Sequence, residues 1–133
     1  MKKDPKIFLK HVLESIEEIE GFIEGFSEEE FSRDIKTQDA VVRRIEIIGE
    51  AVKNLPVSFR NKHPDVEWRE IAGMRDKLIH HYFGIEMSIV WATSKKDLLK
   101  LKKQISKILG SLEKSANLPP KGRASLAKNP TDV

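Results

Sequence analysis

Residues 87–112 read MSIVWATSKKDLLKLKKQISKILGSL. Met87, Trp91, Ser94, Leu98, Leu101, Ile105, Ile108 and Leu112 recur at steps of four and three. That spacing predicts one long helix, starting near Ile85 or Glu86, with an apolar seam for another helix. The partner helix lies either in the same bundle or in a second subunit. Working backwards, Gly84 has the position of a left-handed C-terminal cap for a preceding helix. That helix starts after an N-cap at Asp65, and its apolar set is Trp68, Ile71, Ala72, Leu78, Ile79 and Phe83. Upstream, a helix from Thr37 to Leu55 buries Val41, Ile45, Ile48, Val52 and Leu55, and Pro56 stops it. The connector from Pro56 to Asp65 has room for one helical turn. The first helix spans Pro5 to Gly25, with Phe8, Val12, Ser15, Ile19, Phe22, Ile23 and Phe26 on one face. Ser27 and Glu30 have capping-box spacing for a short helix before Thr37.

No stretch alternates with period two for long enough to make a strand. The fold class is therefore all-α, an antiparallel bundle of four to five helices. Residues 1–115 form the helical domain, and 116–133 form a flexible polar tail containing Asn117-Leu118-Pro119-Pro120. The 133 residues suffice for one domain with one modest core.

Composition removes several function classes. There is no Cys, so thiolate metal sites, disulfides and cysteine nucleophiles are excluded. No apolar run approaches the ~18 residues of a membrane helix. The N-terminus has no secretion-signal h-region, which points to the cytoplasm. The seven glycines never cluster into a phosphate-binding loop, and no serine sits in a nucleophile elbow. Of the four imidazoles, His11, His63, His80 and His81, none forms an i,i+4 pair, so no metal or other cofactor is expected.

The net charge of +3 is unevenly spread. Between His11 and Ser32 there are eight glutamates and no Lys or Arg, whereas Lys95–Lys107 holds six lysines against Asp97. Such a basic stripe is either a solvated helix face or a collector of phosphates. Lys77, Lys95 and Lys96 are the candidate RNA contacts.

The chemistry concentrates in Arg75-Asp76-Lys77-Leu78-Ile79-His80-His81-Tyr82. Asp76 and His80 are i,i+4 neighbours, so the carboxylate can hold the imidazole in one tautomer. Histidine moves protons near neutral pH, and arginine clamps phosphate. Together they suffice in principle for metal-free RNA cleavage. Arg75 and His80 stand about 140° apart on a helix, so two copies lining one cleft would meet more easily than one. Trp68 and Trp91 read as core anchors.

The longer string Gly73-Met74-Arg75-Asp76-Lys77-Leu78-Ile79-His80-His81-Tyr82-Phe83-Gly84-Ile85, with Val90-Trp91 and Asp97-Leu98, strongly resembles the HepT-like branch of the HEPN superfamily. The block Gln38 to Ala51 looks like that family's second block, and the match spans roughly residues 5 to 112. The family motif Arg-x4-His-x-Tyr falls on Arg75, His80 and Tyr82. The resemblance implies a homodimer with both motifs facing an interfacial cleft. It implies a metal-independent ribonuclease toxin of a type VII toxin–antitoxin pair, acting on an RNA such as tRNA or mRNA. The implied partner is a minimal nucleotidyltransferase antitoxin that AMPylates Tyr82, and the homodimer can extend to a hetero-oligomer with it. The residue after the arginine departs from the family's more usual Asn, since Asp76 is acidic. Competing readings are a non-catalytic helical module that partners a nucleotidyltransferase, and a plain interaction domain.

Overall fold

The computed structural model describes residues 4–80 and 86–116; the side chains at 75, 78–80, 115 and 116 lie outside that description. Helix α1 spans Pro5–Ile23, α2 Glu28–Arg33, α3 Ile35–Lys53, α4 Val57–Asn61, α5 Trp68–His80, α6 Met87–Ala92 and α7 Leu98–Ala116. A π-helical turn at Thr93–Asp97 joins α6 to α7. The described residues contain no strand, as the periodicity requires. Nor is any described helix long and apolar enough to cross a membrane.

Local chemistry sets most of the boundaries. Asp4 caps α1 by accepting from the Lys6 amide at 3.0 Å, with Pro5 as the first helical residue. Gly25 ends α1 at φ 79°, a left-handed conformation that a Cβ would strain. The capping box is reciprocal: Ser27 N–H donates to Glu30 Oε1 at 2.9 Å, and Glu30 N–H to Ser27 Oγ at 3.1 Å. Helix α3 begins two residues earlier than the Thr37 start, because Asp34 caps it through the Thr37 amide. Helix α5 begins at Trp68, two residues later than an Asp65 cap would need, and the Asp65 carbonyl instead accepts from Gln104 Nε2.

Helix α1 packs on α3 and α7, and α3 packs on α5. Phe8 and His11, near the start of α1, share a cleft with Glu50 and Asn54 near the end of α3, so these helices run antiparallel. Glu20, late in α1, meets Lys102, early in α7, so that pair is antiparallel too. The core includes Val12, Ile16 and Ile19 of α1, Val41, Ile45, Ile48 and Val52 of α3, and Leu98, Leu101 and Ile105 of α7, each nearly inaccessible. Burying one such side chain contributes about 1.5–3 kcal/mol. The seam of α7 therefore finds partners within its own chain.

Two readings of the apolar faces shift. In α1 the buried line runs through Leu9, Val12, Ile16, Ile19 and Ile23, whereas Phe8, Phe22 and Phe26 are only partly buried. The aromatic rings rim the stripe, and the branched aliphatics fill its centre. The long C-terminal helix is not uniform either. The Ser94 hydroxyl donates to the Val90 carbonyl at 2.9 Å inside the region where the helix widens. Val90 is thereby buried alongside Ser94.

Both tryptophans are anchors. Trp68 is buried, and its Nε1 donates to the Arg60 and His63 carbonyls at 3.2 and 2.9 Å. Trp91 stacks at a tilt on Phe31, with centroids 5.4 Å apart.

Candidate functional site

Helix α5 carries the motif backbone through His80. Arg75 and His80 are five positions apart, which on an α-helix is a rise of about 7.5 Å and a turn of about 140°. The side chains of Arg75 and His80, and all of Tyr82, lie outside the described residues, as do His81 and Gly84. The expected Asp76–His80 hydrogen bond falls there as well.

Asp76 itself is described, and its carboxylate is engaged. Lys53 Nζ, at the end of α3, donates to Asp76 Oδ1 at 3.0 Å and to Oδ2 at 3.4 Å. The two side chains are 40% and 49% exposed, so this pair adds little stability. Its consequence is positional: it ties the last turn of α3 to the motif helix and puts a cation beside the motif's carboxylate. Local sequence reading could not find Lys53, because the two residues are 23 apart in the chain. Lys77, next along α5, is exposed.

Helices α1 and α3 border a cleft of ≈ 330 Å³. Phe8, His11, Arg43, Glu46, Ile47, Glu50 and Asn54 line it. Arg43 Nη1 lies 3.7 Å from Glu46 Oε1, and Asn54 Nδ2 donates to the Glu50 carbonyl at 2.9 Å. Glu50 is exposed and faces this cleft. Among the described residues that line it, Glu46 and Glu50 bring carboxylates and Arg43 a guanidinium. Among the described residues, no group of three or more His, Asp or Glu is placed to hold a metal ion.

Lys95 and Lys96 stand on the π turn, both exposed, far along the chain from Lys77. Lys95 Nζ sits 5.4 Å from the Trp91 ring centroid, a cation–π contact. Lys102, about two turns on, donates to Glu20 Oε1 at 2.8 Å. That hydrogen bond raises the Lys102 pKa above the ordinary 10.5, against an opposing effect of desolvation.

The chain is similar to several proteins named for ribonuclease activity. A Methanocaldococcus jannaschii protein described as a gamma-glutamylcyclotransferase and candidate RNase is 51% identical over 117 residues, covering 88% of this chain. The chain spans about half of that relative, 53% of its length. A candidate RNase of Caldanaerobacter subterraneus is 50% identical over 107 residues, covering 80% of this chain and 96% of its own. A protein of Thermococcus cleftensis named "Probable ribonuclease HepT" is 48% identical over 108 residues, covering 81% of this chain and 98% of its own. No solved structure matches the chain. The family model described as "Ribonuclease HepT-like" matches residues 12–108, from the middle of α1 to the middle of α7. With that share of its length matched, this chain belongs to the ribonuclease HepT-like family, within the HEPN superfamily.

Proposed function

We propose that this protein is a metal-independent endoribonuclease and the toxin of a type VII toxin–antitoxin pair. The observation that carries the reading is the string Arg75-x4-His80-x-Tyr82, whose first two members stand on α5, in a chain of this family. In the proposed reaction His80 takes the proton of an RNA 2′-hydroxyl. The 2′-oxygen forms a bond to the adjacent phosphorus, and the bond from phosphorus to the 5′-oxygen breaks. That leaving oxygen takes a proton from an imidazolium, and a 2′,3′-cyclic phosphate remains. Arg75 binds the phosphoryl oxygens and steadies the charge that grows on them. Imidazole and guanidinium supply both the proton transfer and the charge stabilisation, so no metal is called for. Two copies in a homodimer would bring one chain's arginine and the other's histidine to the same phosphate, which the 140° separation on one helix disfavours within a chain.

Asp76 acts as a positioning residue for His80 in this account, with Lys53 holding the other side of its carboxylate. Regulation falls to Tyr82. A cognate minimal nucleotidyltransferase would transfer AMP from ATP to the phenol oxygen, releasing pyrophosphate. The adenylyl group places a bulky anion beside Arg75 and His80 and repels RNA. The setting is the cytoplasm, where RNA, ATP and the partner coincide.

The test is expression with and without the neighbouring nucleotidyltransferase. Growth arrest by the toxin alone, relieved by His80→Ala, is the expected result. Binding of RNA without cutting, with His80→Ala leaving growth arrest unchanged, would favour a binding module that partners the nucleotidyltransferase. Mass spectrometry after incubation with partner and ATP should place an adenylyl group on Tyr82, and an unmodified Tyr82 removes the regulatory claim.

A further inference from the structure

The structure sorts the basic pole into lysines that are occupied and lysines that are free to act outward. Lys102 is committed to Glu20, and Lys95 lies over Trp91. Lys100, Lys103, Lys107 and Lys114 remain on α7, each exposed. Their spacings of three, four and seven put them within an arc of about 60° along about 21 Å of helix. The arc lies opposite the seam of Leu98, Leu101, Ile105 and Ile108, which is buried. It is thus the outward ridge of the helix. Asp97 and Glu113, the acidic residues nearest in sequence, stand roughly at right angles to it. Only Lys100 has an ion pair on the ridge, at 3.7 Å from Glu67, with both side chains about two-thirds exposed (64% and 65%). Such a pair yields easily to another anion. Among the described residues, Lys103, Lys107 and Lys114 have no ion-pair partner.

We propose that this lysine ridge on α7 is a sequence-independent binding track for the RNA backbone, outside the cleavage motif. The proposal rests on the ribonuclease reading above and specifies how its substrate is held. Three features favour RNA over a protein partner. Repeated point charges in a straight line match a chain of phosphates, and lysines contact phosphate without reading bases. Protein interfaces are depleted in lysine and anchored by buried aromatic or apolar residues, which the ridge lacks. The third feature is placement. Lys100 reaches Glu67, and Gln104 Nε2 donates to the Asp65 carbonyl at 3.0 Å, so the ridge passes the start of α5. From there Arg75 and His80 lie about 12–20 Å along the helix. An RNA held on the ridge needs to extend only that far to reach the motif.

The experiment uses the full chain carrying His80→Ala, so that RNA is bound and not cut. A labelled 20-mer oligouridylate is titrated at several salt concentrations. The triple variant K103Q/K107Q/K114Q is compared with K10Q/K36Q/K62Q, which removes the same charge from exposed positions elsewhere. The ridge variant should lose about tenfold or more in affinity, and its salt dependence should flatten by about 2 in logarithmic slope. The control variant should show a clearly smaller loss, and Arg at the three ridge positions should keep binding. Equal losses in both triple variants would overturn the proposal, since bulk charge would then explain the binding. Unchanged RNA binding with loss of the nucleotidyltransferase from a co-expressed complex would also overturn it, in favour of a protein-docking face. A wild-type chain that never cuts RNA, together with ridge-dependent binding, would sink the nuclease reading and leave the ridge standing.

Discussion

Helices α1 and α7 are the same length, lie antiparallel and are joined by the Lys102–Glu20 contact at 2.8 Å. Their inner faces are interchangeable in kind: Leu9, Val12, Ile16, Ile19 and Ile23 on one, Leu98, Leu101, Ile105, Ile108 and Leu109 on the other. Their outer faces are opposites. Glu14, Glu17 and Glu18 are exposed on α1 and Glu24 just past its end, and Lys100, Lys103, Lys107 and Lys114 are exposed on α7. The bundle needs only the inner pattern, so the outer charges are left for another task. One face repels a polyanion and the other attracts it. A nucleic acid would therefore approach this molecule from one side.

The largest expected break in the comparison lies inside. Ile105→Ala removes a fully buried side chain facing the core and should cost about 2–5 kcal/mol in urea unfolding. Leu99→Ala, on the same helix and 43% exposed, should change stability by about 0.5 kcal/mol or less. Equal effects would mean that α7 buries a different face. Next comes the acidic side. Neutralising Glu14, Glu17, Glu18 and Glu24 with Gln should raise RNA affinity a few-fold at low salt and leave the unfolding midpoint nearly unmoved. A loss of affinity would place RNA on α1. The smallest effect is at the contact between the helices. Because pairing raises the Lys102 pKa above 10.5, its contribution is fully present at neutral pH and is lost as pH climbs through that raised value. Thermal melts of wild type and Lys102→Gln should differ slightly at pH 7 and converge at strongly alkaline pH. A gap that persists there would point to packing of the lysine stem instead.

What the sequence made legible was whatever depends on near neighbours. The capping box at Ser27 and Glu30, the helical class and the buried members of α3 all follow from spacings of three and four. The Asp34 cap carried a local signal too, but the apolar spacing from Val41 drew the boundary to Thr37. The π turn left no such trace, because the four-and-three spacing of Trp91, Ser94 and Leu98 reads the same with or without it. Lys53 beside Asp76, and the cleft of Phe8, His11 and Glu50, arise where distant segments meet, and no spacing rule reports that. The motif residues Arg75, His80 and Tyr82 were readable as a string, and the helix shared by Arg75 and His80 with it, but a meeting at one phosphate is a matter of tertiary and quaternary arrangement.

In the proposed reaction Arg75 and His80 together cut RNA without a metal. The direct measurement is cleavage of a defined RNA by the purified full chain in the presence of EDTA, with product ends identified by mass. Wild type should leave 2′,3′-cyclic phosphate ends, and His80→Ala and Arg75→Ala should each slow the reaction by about 10²-fold or more. Wild-type cleavage that His80→Ala leaves at full rate, or that stops with EDTA and returns with a divalent ion, would contradict the account.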